Sequence, residues 1–156
     1  MDFQITGLPA QSFHSLFGLN DAQLRARSAI RMVANCNPGF PCRVSLQDAA
    51  IGETVILINH EHLAVAGPYR SRHAIFVREH ARDARLAVNE VPEVITRRLL
   101  SVRSFDVAGL MQEADVLPGT QLREVAAKML DRDGVQFLHI HNAKPGCFAA
   151  RVDPVR

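Results

Sequence analysis

The chain has 156 residues, 47% of them apolar and 22% charged, with a formal net charge of +2. That length suits one compact domain with a sizeable core, and that composition excludes an intrinsically disordered chain. So small a charge, with one Tyr and no Trp, supplies neither a phosphate-tracking stripe nor a base-stacking platform, and nucleic acid is not an expected partner.

Phe3, Ile5 and Leu8 predict a short first strand ending at Pro9. Phe13, Leu16 and Phe17 follow at helical spacing. Asn20 with Gln23 has the form of a reciprocal cap and opens a short helix through Leu24. Ile30 to Ala34 reads as a strand, and Asn35 to Pro41 as a turn, since proline fixes one dihedral and glycine permits a positive one. Thr54 to Ile58 and Ala74 to Val77 are apolar on both faces, as central, covered strands are. Pro92 at a first helical position, with Ile95 and Leu99, predicts a helix. Strands follow near Val102 to Asp106 and Leu110 to Leu117. Leu122, Val125, Ala126, Met129 and Leu130 form one helical stripe, with Thr120 as its cap and Gly134 beyond its end. Val135 to His141 reads as an interior strand, with Phe148 to Val152 as its hairpin partner. Strands joined by turns, with helices placed irregularly among them, predict an α+β fold: one domain over residues 1–156, a mostly antiparallel sheet and several packed helices.

The longest apolar run, Thr54 to Ile58, is too short to cross a bilayer, so no membrane is expected as a partner. Asp2 stands where a secretory signal would carry basic residues, so a cytoplasmic location is expected. Three cysteines, Cys36, Cys42 and Cys147, with no Cys-x-x-Cys pattern, suit free thiols in a reducing compartment. Sixteen of the eighteen basic residues are Arg. Arg70, Arg72, Arg78, Arg82 and Arg85 alternate with Glu79 and Asp83, as on a solvated face of mixed charge.

The chemistry-bearing stretch is Leu138-His139-Ile140-His141-Asn142, followed by Ala143-Lys144-Pro145-Gly146-Cys147-Phe148. Period-two alternation puts His139 and His141 on one face, at the polar end of an apolar strand. His14 and His80 read as surface residues. Two imidazoles at i and i+2 can chelate, but zinc needs a third ligand. The sequence offers only the unplaced residues His73, His60, Glu61 and Cys42, so no metal and no cofactor is assigned. A Cys147 nucleophile with a histidine base is the other option. An even-length Pro145-Gly146 loop sends Cys147 to the face of Asn142, away from both histidines, which counts against a Cys147–His141 dyad. Pro68-Tyr69-Arg70-Ser71-Arg72-His73 is a second polar concentration, at a strand start, and suits a carboxylate or phosphate. Asn35, Pro38, Gly39, Arg43 and Val44 recur as Asn142, Pro145, Gly146, Arg151 and Val152. Either two hairpins share one turn chemistry, or two loops present Arg43 and Arg151 to one anion.

Three blocks carry a family resemblance over almost the whole chain. Pro38-Gly39-Phe40-Pro41-Cys42-Arg43, Ser71 to Glu79, and His139 to Ala149 resemble, in that order, the bacterial family named domain of unknown function 1203. The resemblance brings no activity with it. Leu138-His139-Ile140-His141 is also similar to the final strand of histidine-triad nucleotide hydrolases and transferases, which implies His141 as a nucleophile on phosphate. The third histidine of that triad falls on Ala143.

The residues together point to a cleft that binds, or acts on, a small anionic molecule. Cys42, Arg43, Arg72, His73, His139, His141 and Asn142 line it, and His73 and His141 are the catalytic candidates. The strand beginning at His73 and the strand ending at His141 are expected to be antiparallel neighbours, which puts the start of one beside the end of the other. The rival reading is a structural or interaction protein, most simply a homodimer, in which the same polar residues are buried pins.

Overall fold

In the computed structural model, which describes residues 1–156, eight strands form two sheets. The larger contains β1 (Phe3–Thr6), β5 (Leu99–Phe105), β6 (Met111–Pro118), β7 (Phe137–Asn142) and β8 (Phe148–Pro154), in the order β1-β8-β7-β5-β6. The smaller contains β2 (Ala29–Val33), β3 (Thr54–Leu63) and β4 (Ser71–Arg78), with β3 in the middle. Every strand pairing in both sheets is antiparallel. The helices are α1 (Asp21–Ala26), α2 (Glu93–Thr96) and α3 (Leu122–Leu130), with single 3-10 turns at Ala10–Ser12, His14–Leu16 and Gly119–Gln121. The fold is α+β, and no helix is long and apolar enough to cross a membrane.

β7 is the central strand of the larger sheet, and all six of its residues are buried. Its alternation gives that sheet two different faces. Leu138 and Ile140 join Leu100, Val102, Ala150 and Val152 in the main core, beneath Leu122, Ala126, Met129 and Leu130 of α3. The helical stripe therefore covers the face its spacing prescribes, and burying it removes most of the helix's apolar surface from water. The opposite face carries Phe137, His139 and His141, with Phe105, Arg103 and Ser101 beside them on β5. A second core fills the space against the smaller sheet, where Ile56, Ile75 and Val77 meet Phe13, Leu16, Leu24, Cys42 and Val44.

The Asn20–Gln23 capping box forms with both bonds at 2.9 Å. Several boundaries differ from expectation. β1 ends at Thr6, before Leu8, and Val135 precedes β7 instead of opening it. Pro92 is the N-cap of α2 instead of its first helical residue, and Leu99 opens β5 instead of closing the helix. The 3-10 turn over Gly119–Gln121 leads directly into α3, so Thr120 makes no cap bond. β4 is an edge strand, not a central one. It reads as covered because a parallel bridge from Cys42 to Phe76 shields its outer edge, and Arg43 N–H donates to the Phe76 carbonyl there.

Candidate functional site

The polar face of β7 looks across at the smaller sheet, and four imidazoles meet in the gap. His62 of β3 stacks on His73 of β4, with ring centroids 4.9 Å apart and planes 2° from parallel. On its other side His62 stacks on Phe148 of β8 at 4.9 Å and 8°. The edge of this sandwich meets His141 at 5.1 Å and His139 at 5.5 Å. One ring nitrogen each from His62, His139 and His141 lie within 4.8 Å of one another.

Local sequence explains each placement. His60 and His73 are cross-strand partners on β3 and β4, and a register shift follows at Glu61. A second irregularity, between Ile140 and His141, sets Phe148 opposite His141. The extra residue of such a bulge re-aims the side chains after it, and here Phe148 reaches His62, His139 and His141 together.

Few hydrogen bonds hold these rings. His141 Nδ1 donates to the Gly146 carbonyl at 3.0 Å, so the proton sits on Nδ1 and Nε2 is bare. Both ring nitrogens of His62, and Nδ1 of His73 and of His139, are buried with no partner. Burial lowers all four pKa values, because a charged imidazole loses its hydration there. His139 falls to about 2, His141 to about 3 and His62 to about 4, helped by the like charges of one another and of Arg103.

Arg43 is 2% exposed and has no acidic partner. Its Nε donates to the Phe148 carbonyl at 2.7 Å, Nη1 to the Pro41 carbonyl, and Nη2 to Cys147 Sγ at 2.9 Å. Asn142 Nδ2 also reaches Cys147 Sγ, at 3.6 Å. Cys147 thus stands with Asn142 and away from the histidines, as the loop count predicts, and no Cys147–His141 dyad forms.

A cleft of about 770 Å³ opens beside this group. Arg43, Arg97, Arg98, Lys144, Asn142 and His73 are its polar walls, and no carboxylate lines it. Asp48, 4% exposed, stands behind and accepts from Arg98 at 2.6 and 3.0 Å and from Arg97 at 3.4 Å.

Of the residues expected to line one cleft, His139 and His141 are instead buried in the cluster behind it, whereas Arg43, His73 and Asn142 do line it. Cys42 and Arg72 do not. Cys42 is buried in the second core, where its sulfur accepts from the amides of Ser45 and Arg78. Arg72 alternates with His73, so it leaves by the opposite face of β4 and bonds Asn59. Arg70 likewise pairs with Glu61 and is absent from the cleft. Arg151 pairs with Asp153 and lies 3.9 Å over the Phe137 ring, so Arg43 and Arg151 share no anion. The expected adjacency of β4 and β7 also fails, because the two strands belong to different sheets. His73 and His141 still meet, at 5.3 Å, because the sheets pack face to face. Sequence reasoning missed the cleft cations Arg97, Arg98 and Lys144, and it missed His62. Its signal was present, since His60-Glu61-His62 repeats the period-two pattern of His139-Ile140-His141.

The family model described as Protein of unknown function (DUF1203) matches residues 39–154, and the chain belongs to that family. The match takes in both walls of the cleft and all four clustered histidines, and leaves β1, α1 and β2 outside it. No curated protein and no solved structure matches the chain.

Proposed function

We infer that this DUF1203 chain binds a small anionic molecule in the cleft between Arg43, His73, Asn142 and Lys144. One observation carries the reading: four cationic side chains line the cleft and no carboxylate does. Asp48 offsets part of the charge of Arg97 and Arg98 from behind, and Glu93 pairs with Arg97 outside the cleft lining. Lys144 is exposed and enters no ion pair, so its charge is free to meet a ligand. The volume suits a ligand the size of a nucleotide or a multivalent carboxylate.

His73 is the wall residue with reactive potential. Burial lowers its pKa below the ordinary imidazole value, which favours the neutral ring. A neutral imidazole at a cleft wall can accept a proton from a bound molecule, which is what a general base requires. His141 stands behind His73 and steadies it edge-on. The histidine-triad reading gains nothing here, since Ala143 offers no third imidazole.

A thermal-shift panel of pyrophosphate, AMP and citrate, with adenosine and glucose as uncharged controls, tests the reading. A ligand that binds only the folded state raises Tm. At least one of the anions raises it in the wild type and fails to in Lys144→Glu. If no anion raises Tm, the polar group is a set of structural pins and the binding reading is wrong.

A further inference from the structure

The cluster behind the cleft has an unmet requirement of its own. Buried polar atoms in folded proteins are nearly always bonded, yet His62 has two orphaned ring nitrogens and His139 has one. No carboxylate, hydroxyl or carbonyl is placed to satisfy them. We propose that His62, His139 and His141 form a binding site for a first-row divalent transition ion, zinc above all.

Three features support the assignment. The donor set is three imidazoles with no oxygen ligand, which suits zinc and its neighbours and not calcium or magnesium. His141 donates its Nδ1 proton to the Gly146 carbonyl and so turns a bare Nε2 away from it, the outer-shell bond that fixes the ring of a metal-ligating histidine. Three protein ligands leave a fourth position open, and His73, stacked on His62, lies between the cluster and the cleft.

The nitrogens must close up to hold an ion. They stand up to 4.8 Å apart, whereas bonds of about 2.0–2.1 Å in a tetrahedron put them about 3.3 Å apart. His62 is the ring to move, since it is only half-buried and no hydrogen bond restrains it. Arg103 and Arg151, the cross-strand neighbours of His139, bring like charge to the same face. An anionic fourth ligand, hydroxide or a bound anion, offsets that charge. The ion does not depend on the cleft ligand, so the two readings stand or fall separately.

Tag-free protein, stripped with EDTA and dialysed, is titrated with zinc chloride in a calorimeter, and with cobalt chloride under visible absorption. One equivalent of zinc binds, and cobalt gives the intense visible bands of four- or five-coordination. His62→Ala weakens zinc binding at least tenfold while its metal-free protein still melts cooperatively, at a Tm lowered only by the loss of the ring stacked between His73 and Phe148. His139→Gln, should it fold, does the same. His14→Ala and His80→Ala, both at exposed positions, leave binding unchanged. No stoichiometric zinc uptake, a weak six-coordinate cobalt spectrum, or undiminished binding by His62→Ala overturns the proposal.

Discussion

His73 and His141 lie 5.3 Å apart, ring to ring and nearly perpendicular, although they belong to two different sheets. The contact crosses the interface between β4 and the polar face of β7. It places the cleft wall directly against the histidine cluster.

Replacing His141 tests what that contact contributes to the fold. His141→Ala removes a buried ring and leaves the Gly146 carbonyl without its donor. The chain folds but loses about 1–3 kcal/mol, the cost of a cavity together with an unmade bond. Urea unfolding followed by circular dichroism measures it. A loss near zero means that the ring contributes nothing to the interface.

Arg43 ties the Pro41 loop to β8 through two carbonyls and the Cys147 sulfur. A lysine keeps the charge but not the planar fork, so it cannot meet three acceptors at once. Arg43→Lys costs about 2–4 kcal/mol, close to the loss of a buried bonded charge. Equal stability of Arg43→Lys and wild type in urea contradicts this role.

Acid weakens the metal-free fold in a set window. Unfolded imidazoles protonate near pH 6.5, whereas folded His139 and His141 stay neutral down to about 2 and 3. Below pH 6.5 the unfolded chain binds more protons, so stability falls as pH falls. Each of these two histidines removes up to about 1.4 kcal/mol per pH unit in that range. Thermal melts in EDTA therefore show Tm constant above pH 7.5 and falling steadily from pH 6.5 to 4.5. A flat profile across that range contradicts the burial of neutral rings.

The thiols report burial directly. Cys36 is exposed, Cys147 intermediate and Cys42 1% exposed, and all three are free. In the native protein a thiol reagent modifies Cys36 fast, Cys147 slowly and Cys42 only on unfolding, which reveals three groups in total. A total of one indicates a disulfide and contradicts the structure.

Local pattern made some of this architecture legible and concealed the rest. Alternation through Phe137–Asn142 and the turn at Pro145-Gly146 identified β7 and β8, and the stripe from Leu122 to Leu130 identified α3 with its buried face. Period two says which side chains share a face, not which sheet receives the strand. Ala74 to Val77 therefore read as a central strand beside β7, although β4 is the edge of another sheet. Arg72 adjoins His73 in sequence, yet alternation sends the two to opposite faces of β4. Cys42 adjoins Arg43 in the same way, and it packs into a core instead. His62 shares the period-two pattern of the β7 histidines, but only the packing of the two sheets shows that it meets them.

The anion-binding cleft is the central claim, and amide chemical shifts test it most directly. Pyrophosphate, AMP and citrate are each titrated into nitrogen-15-labelled protein, and the spectrum with whichever binds most tightly is followed by residue. Saturable shifts confined to Gly39, Asn142, Lys144 and Cys147, and lost in Lys144→Glu, are the predicted result. Shifts that do not saturate, that scatter over the surface, or that persist in Lys144→Glu would contradict it.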